Sequence, residues 1–243
     1  MIEIIYSDDD MIVINKPPGI SVHGGGSVSG LTVVDFLLEK FPEIAGVGED
    51  SVRPAHPDEA RQRRPGIVHR LDRDTSGVMV VARNQKSFFA LKEIFQKRRA
   101  EKIYLAIVCG KPSKREGVID FAIGRLASNP TLRGAATGRT VLRGARDALT
   151  EYRVLKSSTA YSLVELRPQT GRMHQLRVHM KAIGHPIACD TKYGGKKICC
   201  PAGAGRQLLH ARSLSFSFPE GRRLSFEAEP PEDFSRALKI LEQ

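Results

Sequence analysis

The chain has 243 residues, with 38 Lys+Arg against 27 Asp+Glu and a formal charge of +11. Its 41% hydrophobic and 27% charged content excludes wholesale disorder, and the length suits one large globular domain or two modest ones. No apolar run exceeds Tyr104–Cys109, Met1–Asp10 is too acidic for a signal peptide, and Cys109, Cys189, Cys199 and Cys200 are too few and too irregular for a disulfide framework. A soluble, cytoplasmic protein with an appetite for a polyanion is therefore expected, nucleic acid being the commonest.

In chain order, Glu3–Tyr6 and Met11–Asn15 read as two strands around the turn Ser7-Asp8-Asp9-Asp10, and Lys16-Pro17-Pro18-Gly19 stops the second. Leu31–Phe41 has helical spacing in Val34, Leu37, Leu38 and Phe41. Ala45–Gly66, rich in Pro, Gly, Asp and Arg, reads as a surface loop or insertion. Val78–Ala82 is a strand buried on both faces, and Asn84 caps a helix reaching about Lys97. Strands are expected at Lys102–Gly110, Gly117–Ile123, Thr150–Leu155 and Tyr161–Arg167. Ser128–Arg146 between them reads as a mobile basic loop. Met173–Ile183 reads as a helix with Met173, Leu176, Met180 and Ile183 on its apolar stripe, ended by Gly184 and Pro186. Two more strands in Leu208–Glu229 and a helix at Asp233–Leu241 complete an α+β pattern with a mostly antiparallel sheet. No linker cuts the chain, so residues 1–243 read as a single domain.

The common cofactor devices are missing. Gly24-Gly25-Gly26 and Gly30 lack dinucleotide spacing, Gly194-Gly195-Lys196 lacks the first Gly of a phosphate loop, and adjacent Cys199-Cys200 suit zinc poorly. Neither a nucleophile elbow nor a zinc-protease helix occurs. What draws notice is His69-Arg70-Leu71-Asp72-Arg73-Asp74-Thr75-Ser76-Gly77, which sets a carboxylate in a polar loop beside two arginines. By itself this is a solvated Asp/Arg turn. Arg172 adds a second signal, because it falls in the expected first helical turn, where the macrodipole disfavours a cation.

Together these segments resemble the pseudouridine synthases, specifically the RluA family, through its H-R-L-D-x-x-T-S-G motif at His69–Gly77. The resemblance runs through Ile12–Pro17, Lys102–Ala106, Ala148–Tyr152, Pro168–His179, Gly184–Ile187 and Leu208–Ala211 in order along nearly the whole chain. It implies a mixed, mainly antiparallel bifurcated sheet flanked by helices. It also implies an enzyme that cleaves the N-glycosidic bond of a uridine in ribosomal or transfer RNA, turns the base and rejoins it through C5, without a cofactor. Asp72 is then the catalytic aspartate, Tyr104 the aromatic against the uracil, and Arg177 the cation that keeps a buried carboxylate ionised, since burial alone favours the neutral acid. Arg70 would fill the gap left by a flipped base.

Arg73, Arg172, His174, Arg61, Arg63, Arg64, Arg98 and Arg99, with Lys97, Arg133, Arg139 and Arg143, are expected to hold RNA. His69, His174 and His210 read as buried hydrogen-bonded groups rather than proton carriers. No counterpart of the N-terminal RNA-binding S4 module of many relatives is expected ahead of the core. A monomer and no metal are expected. The competing readings are a non-catalytic RNA-binding factor of the same fold, and a nuclease using Asp72 and Asp74 as metal ligands. The latter is disfavoured because the surrounding arginines repel a divalent cation.

Overall fold

The computed structural model describes residues 2–24, 30–49, 64–138, 140–195 and 198–241. The chain forms two compact units, Met1–Glu101 with Ala211–Glu229, and Lys102–His210 with Pro230–Gln243. Among the described residues no helix is long and apolar enough to cross a membrane.

In the first unit, β1 (Glu3–Ser7) and β2 (Met11–Lys16) form an antiparallel hairpin. The Asp8 carboxylate shapes its turn by accepting the N–H groups of Asp10 and Met11 at 2.9 and 2.8 Å. β2 pairs along its whole length with β3 (Ser76–Ala82), every residue of which is buried, as its unbroken apolar run requires. α1 (Val33–Lys40) opens with a capping box in which Thr32 and Asp35 each satisfy the other's backbone N–H. The cap places Leu31 outside the helix, where it is exposed. α2 (Gln85–Gln96) is capped by Asn84, as expected, and buries Phe88, Leu91 and Ile94 in a core with Met79, Val80, Val13 and Phe216. Much of the 45–66 insertion, from 50 to 63, lies outside the described residues, as do Arg61 and Arg63.

In the second unit, β4 (Glu101–Cys109), β10 (Tyr161–Pro168), β9 (Thr150–Ser157) and β5 (Glu116–Ile119) pair antiparallel in that order. α3 (Gln175–Ala182) lays Leu176 and Met180 onto Val108, Val164, Leu166 and Ile187. A second cluster joins Phe234 and Ala237 of α4 (Glu232–Ile240) to Ile107, Ala188 and Leu208. β11 (Leu209–Ser217) begins in this unit, continues into the first, and pairs there with β12 (Arg223–Glu227).

Four expectations need correction. The single strand Gly117–Ile123 is two, β5 and β6 (Ile123–Leu126), because the chain leaves one sheet for another at Asp120-Phe121-Ala122. The basic loop Ser128–Arg146 contains β7 (Arg133–Ala135) and β8 (Leu142–Arg146), which flank β6 in a small three-stranded sheet. Its Gly, Thr and Arg content hid short edge strands whose pairing is tertiary. The helix expected from Met173 starts at Gln175, because His174 takes a left-handed conformation (φ 57°) as its N-cap. Met173 is therefore exposed rather than part of the apolar stripe, and Arg172 lies ahead of the helix rather than in its first turn. Lastly, the cysteines pair, Cys109 with Cys199 and Cys189 with Cys200, once the turn after Ile187 and the segment before Leu208 fold back beside β4.

Gly77 ends the motif loop at β3 with φ +118°, and a Cβ there would run into the Ala211 carbonyl of β11. Gly77→Ala therefore meets both backbone strain and a clash with main chain, and is expected to destabilise the protein by about 2 kcal/mol or more. Urea unfolding with an unchanged midpoint would contradict that account.

Candidate active site

In the first unit the motif loop is held from several directions. Lys16, fully buried at the end of β2, donates through Nζ to the carbonyls of Pro17, Ile20 and Arg73 at 2.8–2.9 Å. A buried ammonium needs such acceptors, and here they tie the Pro17-Pro18-Gly19 turn to the residue following Asp72. The loop itself turns through the Thr75 N–H, which donates to the Asp72 carbonyl at 3.1 Å. Arg73 Nε donates to the Gly19 carbonyl at 3.0 Å. His69, half-buried, accepts the Val80 N–H through Nε2 at 3.0 Å and stacks on Phe95 with centroids 4.3 Å apart.

Arg70 is exposed and donates to His23 Nε2 at 3.3 Å, while His23 Nδ1 contacts the Gly24 carbonyl at 2.7 Å. That geometry suits a neutral imidazole donating from Nδ1. Burial, reinforced by the nearby charges of Arg64 and Arg70, pushes the His23 pKa down. Arg64 thus joins Arg70 at one end of the loop. Arg98 and Arg99 follow α2 and are exposed, and Arg99 lies 4.0 Å from Glu93.

In the second unit the Thr170–Gln175 segment builds the start of α3. The buried Gln175 side chain accepts from Thr170 Oγ1 at 2.7 Å and from the Arg172 N–H at 2.9 Å. It donates to the Leu149 carbonyl and to Thr150 Oγ1, both at 3.0 Å. This clamp fixes the register of α3 and so the direction of Arg177. The Arg177 side chain is 4% exposed and that of its partner Asp190 is 0% exposed. Arg177 Nε donates to Asp190 Oδ2 at 2.7 Å and Nη2 to Oδ1 at 2.9 Å, a fork that keeps both charges satisfied out of water. Asp190 Oδ1 also accepts the N–H groups of Lys192 and Tyr193, each at 3.0 Å. The Tyr193 ring packs 5.0 Å from the Arg177 guanidinium carbon. Its hydroxyl accepts the Arg133 N–H at 3.1 Å and meets His174 Nδ1 at 2.7 Å. His174 is therefore engaged inside the fold.

Tyr104 lies on β4 opposite Leu166, half-buried beside the cluster that holds Leu176 and Met180. Of the expected residues, the structure gathers Arg64, Arg70 and Arg73 around the loop that carries Asp72, and Arg172, His174 and Arg177 around α3. The sequence reading missed Lys16, His23, Gln175, Asp190 and Tyr193. Lys16 and Gln175 stood inside recognised motif blocks, so only their role was invisible. Nothing in the spacing singles out Asp190, which lies 13 residues beyond Arg177. Among the described residues no group of three or more His, Cys, Asp or Glu is arranged to hold a metal ion.

A sequence model described as RNA pseudouridylate synthase matches residues 10–182. An uncharacterised RNA pseudouridine synthase of Mycobacterium bovis is 39% identical over 240 residues, covering 98% of this chain and 72% of that protein. The ribosomal large subunit pseudouridine synthase D of Vibrio parahaemolyticus is 38% identical over 252 residues, covering 99% and 70%. Among solved structures, human RNA pseudouridylate synthase domain containing 4 superposes with a TM-score of 0.72 at 29% identity, covering 99% of this chain and 93% of that one. With its mixed, mainly antiparallel sheets and, among the described residues, four α-helices, the fold is that of an RNA-modifying isomerase. The chain belongs to the RNA pseudouridine synthase family.

Removing one charge of a buried, forked ion pair leaves the other buried without its opposite charge in the fork. Asp190→Asn is therefore expected to cost about 3–5 kcal/mol of stability, read by denaturant unfolding; a loss below about 1 kcal/mol would contradict a dry pair. A second expectation concerns His179, fully buried in α3, with Nδ1 2.9 Å from Thr150 Oγ1 and Nε2 2.9 Å from the Phe121 carbonyl. Burial pushes its pKa down, so the folded chain prefers the neutral ring. The resulting stability is fully present above about pH 6.5 and is lost as pH falls through the depressed value. Wild type should therefore lose more thermal stability between pH 7 and pH 5 than His179→Gln does, and parallel losses would exclude this group as the cause.

Proposed function

We propose that the chain isomerises a uridine of large-subunit ribosomal RNA, with residues 1–243 serving as one catalytic domain that works as a monomer in the cytoplasm. The observation that carries the substrate is similarity over 99% of the chain to two proteins named ribosomal large subunit pseudouridine synthase D, from Vibrio parahaemolyticus and Nitrosomonas europaea. In the proposed reaction the N1–C1′ bond of the uridine breaks, the uracil turns, a C5–C1′ bond forms, the C5 proton leaves and N1 takes up a proton. Nothing is consumed.

Asp72 serves as the catalytic carboxylate. Attack on the sugar, attack on the base and removal of a sugar proton all require it ionised where water is excluded. Tyr104 lies flat against the uracil, a surface that holds a turning ring without fixing its hydrogen bonds, and assists loss of the C5 proton. Arg177 supplies the positive charge that favours the ionised carboxylate. Its own hold on Asp190, at 2.7 and 2.9 Å, supports that role, because a guanidinium fixed on one edge presents the rest of its fork in a set direction. Arg70, exposed and steadied by His23, takes the space vacated by the flipped base. Arg73, Arg172, Arg64, Arg98 and Arg99, with Arg61 and Arg63, contact the phosphates.

Tritium release from large-subunit ribosomal RNA labelled at uridine C5 tests this reading. Wild type should release tritium with EDTA present, and Asp72→Asn should lose it by about 10³-fold or more while still binding the RNA. No release from ribosomal RNA by wild type would overturn the substrate; full activity in Asp72→Asn would overturn the assignment of the carboxylate.

A further inference from the structure

The small sheet β7–β6–β8 carries an arrangement that packing alone does not explain. Arg125 of β6 stands directly opposite Arg133 of β7 on one side and Arg143 of β8 on the other. Three guanidinium side chains thus cross the sheet in a row, at the roughly 4.8 Å spacing of neighbouring strands. Like charges placed directly opposite one another destabilise a sheet. A bulge adds a fourth: Gly144, at φ +59°, sits where the β6–β8 register slips, and Arg146 comes opposite Ile123.

Arg172, ahead of α3, completes the set. These five arginines line one cavity of about 440 Å³ together with Ile123, Gly124, Gly144 and Met173. No carboxylate lines it. Among the described residues, none of the five forms an ion pair with an acidic side chain. The Arg133 guanidinium donates to the carbonyls of Pro130 and Leu132, and that of Arg172 to the carbonyl of Asp147. The remaining three are exposed. Met173 is the one large exposed apolar side chain on the lining, 43% accessible.

We infer that this cavity binds the sugar–phosphate backbone of a single-stranded RNA segment, its phosphates on the Arg133–Arg125–Arg143 row and on Arg146 and Arg172, with a base or ribose against Met173. The inference rests on the reading of the chain as an enzyme acting on RNA, and adds to it a site built from residues of the second unit alone. An anion in the groove would relieve the cross-strand repulsion, which is why the row is tolerated. Concavity favours a single strand, since a duplex presents its phosphates on a convex surface and meets only the rim. Unpaired RNA can splay its bases onto guanidinium planes and apolar side chains.

The test uses the full chain, a labelled single-stranded RNA of roughly 20 nucleotides and the duplex of the same sequence, with affinity measured across a salt series. Arg143→Ser/Arg146→Ser should weaken single-strand binding about tenfold at 0.1 M salt and reduce the log–log salt slope by about 1.4, two phosphates at about 0.7 each. The control, Arg153→Ser/Arg167→Ser, removes the same charge from β9 and β10, where both arginines contact Glu165, and should leave the slope unchanged. Equal losses in both double variants would reduce the effect to net charge and overturn the site. An unchanged slope in the first would overturn it directly, and equal weakening for duplex and single strand would overturn the single-strand assignment. Met173→Ser should weaken the single strand without altering the slope. Tritium release measured on the same proteins keeps the two readings apart: wild type that binds with the expected slope yet leaves ribosomal RNA unreacted overturns the proposed substrate and leaves this site standing.

Discussion

Burying Arg177 and Asp190 together removes two full charges from water, a cost offset by the forked hydrogen bonds between them. Much of the second unit serves that requirement. Gln175 anchors the helix start to β9, the Tyr193 and Lys192 amides fill the remaining capacity of Asp190, and the Tyr193 ring covers the guanidinium. The Tyr193 hydroxyl then carries the constraint outward, to His174 and to the first residue of β7. The arginine-lined sheet is thereby attached through one tyrosine to the same pair that orients Arg177.

The first unit solves a related problem with a single buried cation. Lys16 donates to three carbonyl acceptors, and these come from the turn after β2 and from the motif loop. Strand end and loop are therefore held by one ammonium, and Gly77 lets that loop enter β3 against the backbone of β11. Precision around Asp72 comes from main chain held at fixed points, which a side chain elsewhere in the loop would not supply.

The net charge of +11 separates into groups with different physical roles. Lys16 and Arg177 are buried: the first ties the end of β2 to the motif loop, and the second is forked to Asp190. Arg64 and Arg70 lie close enough to bias His23, while Arg125, Arg133, Arg143, Arg146 and Arg172 share a concave surface without acidic neighbours. A formal charge counts all of these alike, although burial separates the first group from the others.

The sequence by itself determined the fold class and most strands and helices, because alternation, helical spacing and caps such as Asn84 are local properties of the chain. It also singled out Asp72, Tyr104 and Arg177, since a motif of near-fixed letters survives without coordinates. Tertiary structure alone decided the rest. That Asp190 grips Arg177, that His23 meets Arg70 across 47 residues, that the cysteines pair, and that Ser128–Arg146 holds strands rather than a loose loop all depend on partners distant in the chain. The helix start was misread for the same reason: Met173 and His174 have helical spacing, but the Gln175 clamp on Thr170 and Leu149 sets where α3 begins. Periodicity reports which face of an element is apolar, whereas the partners of a buried charge or an edge strand are chosen by packing, which spacing does not encode.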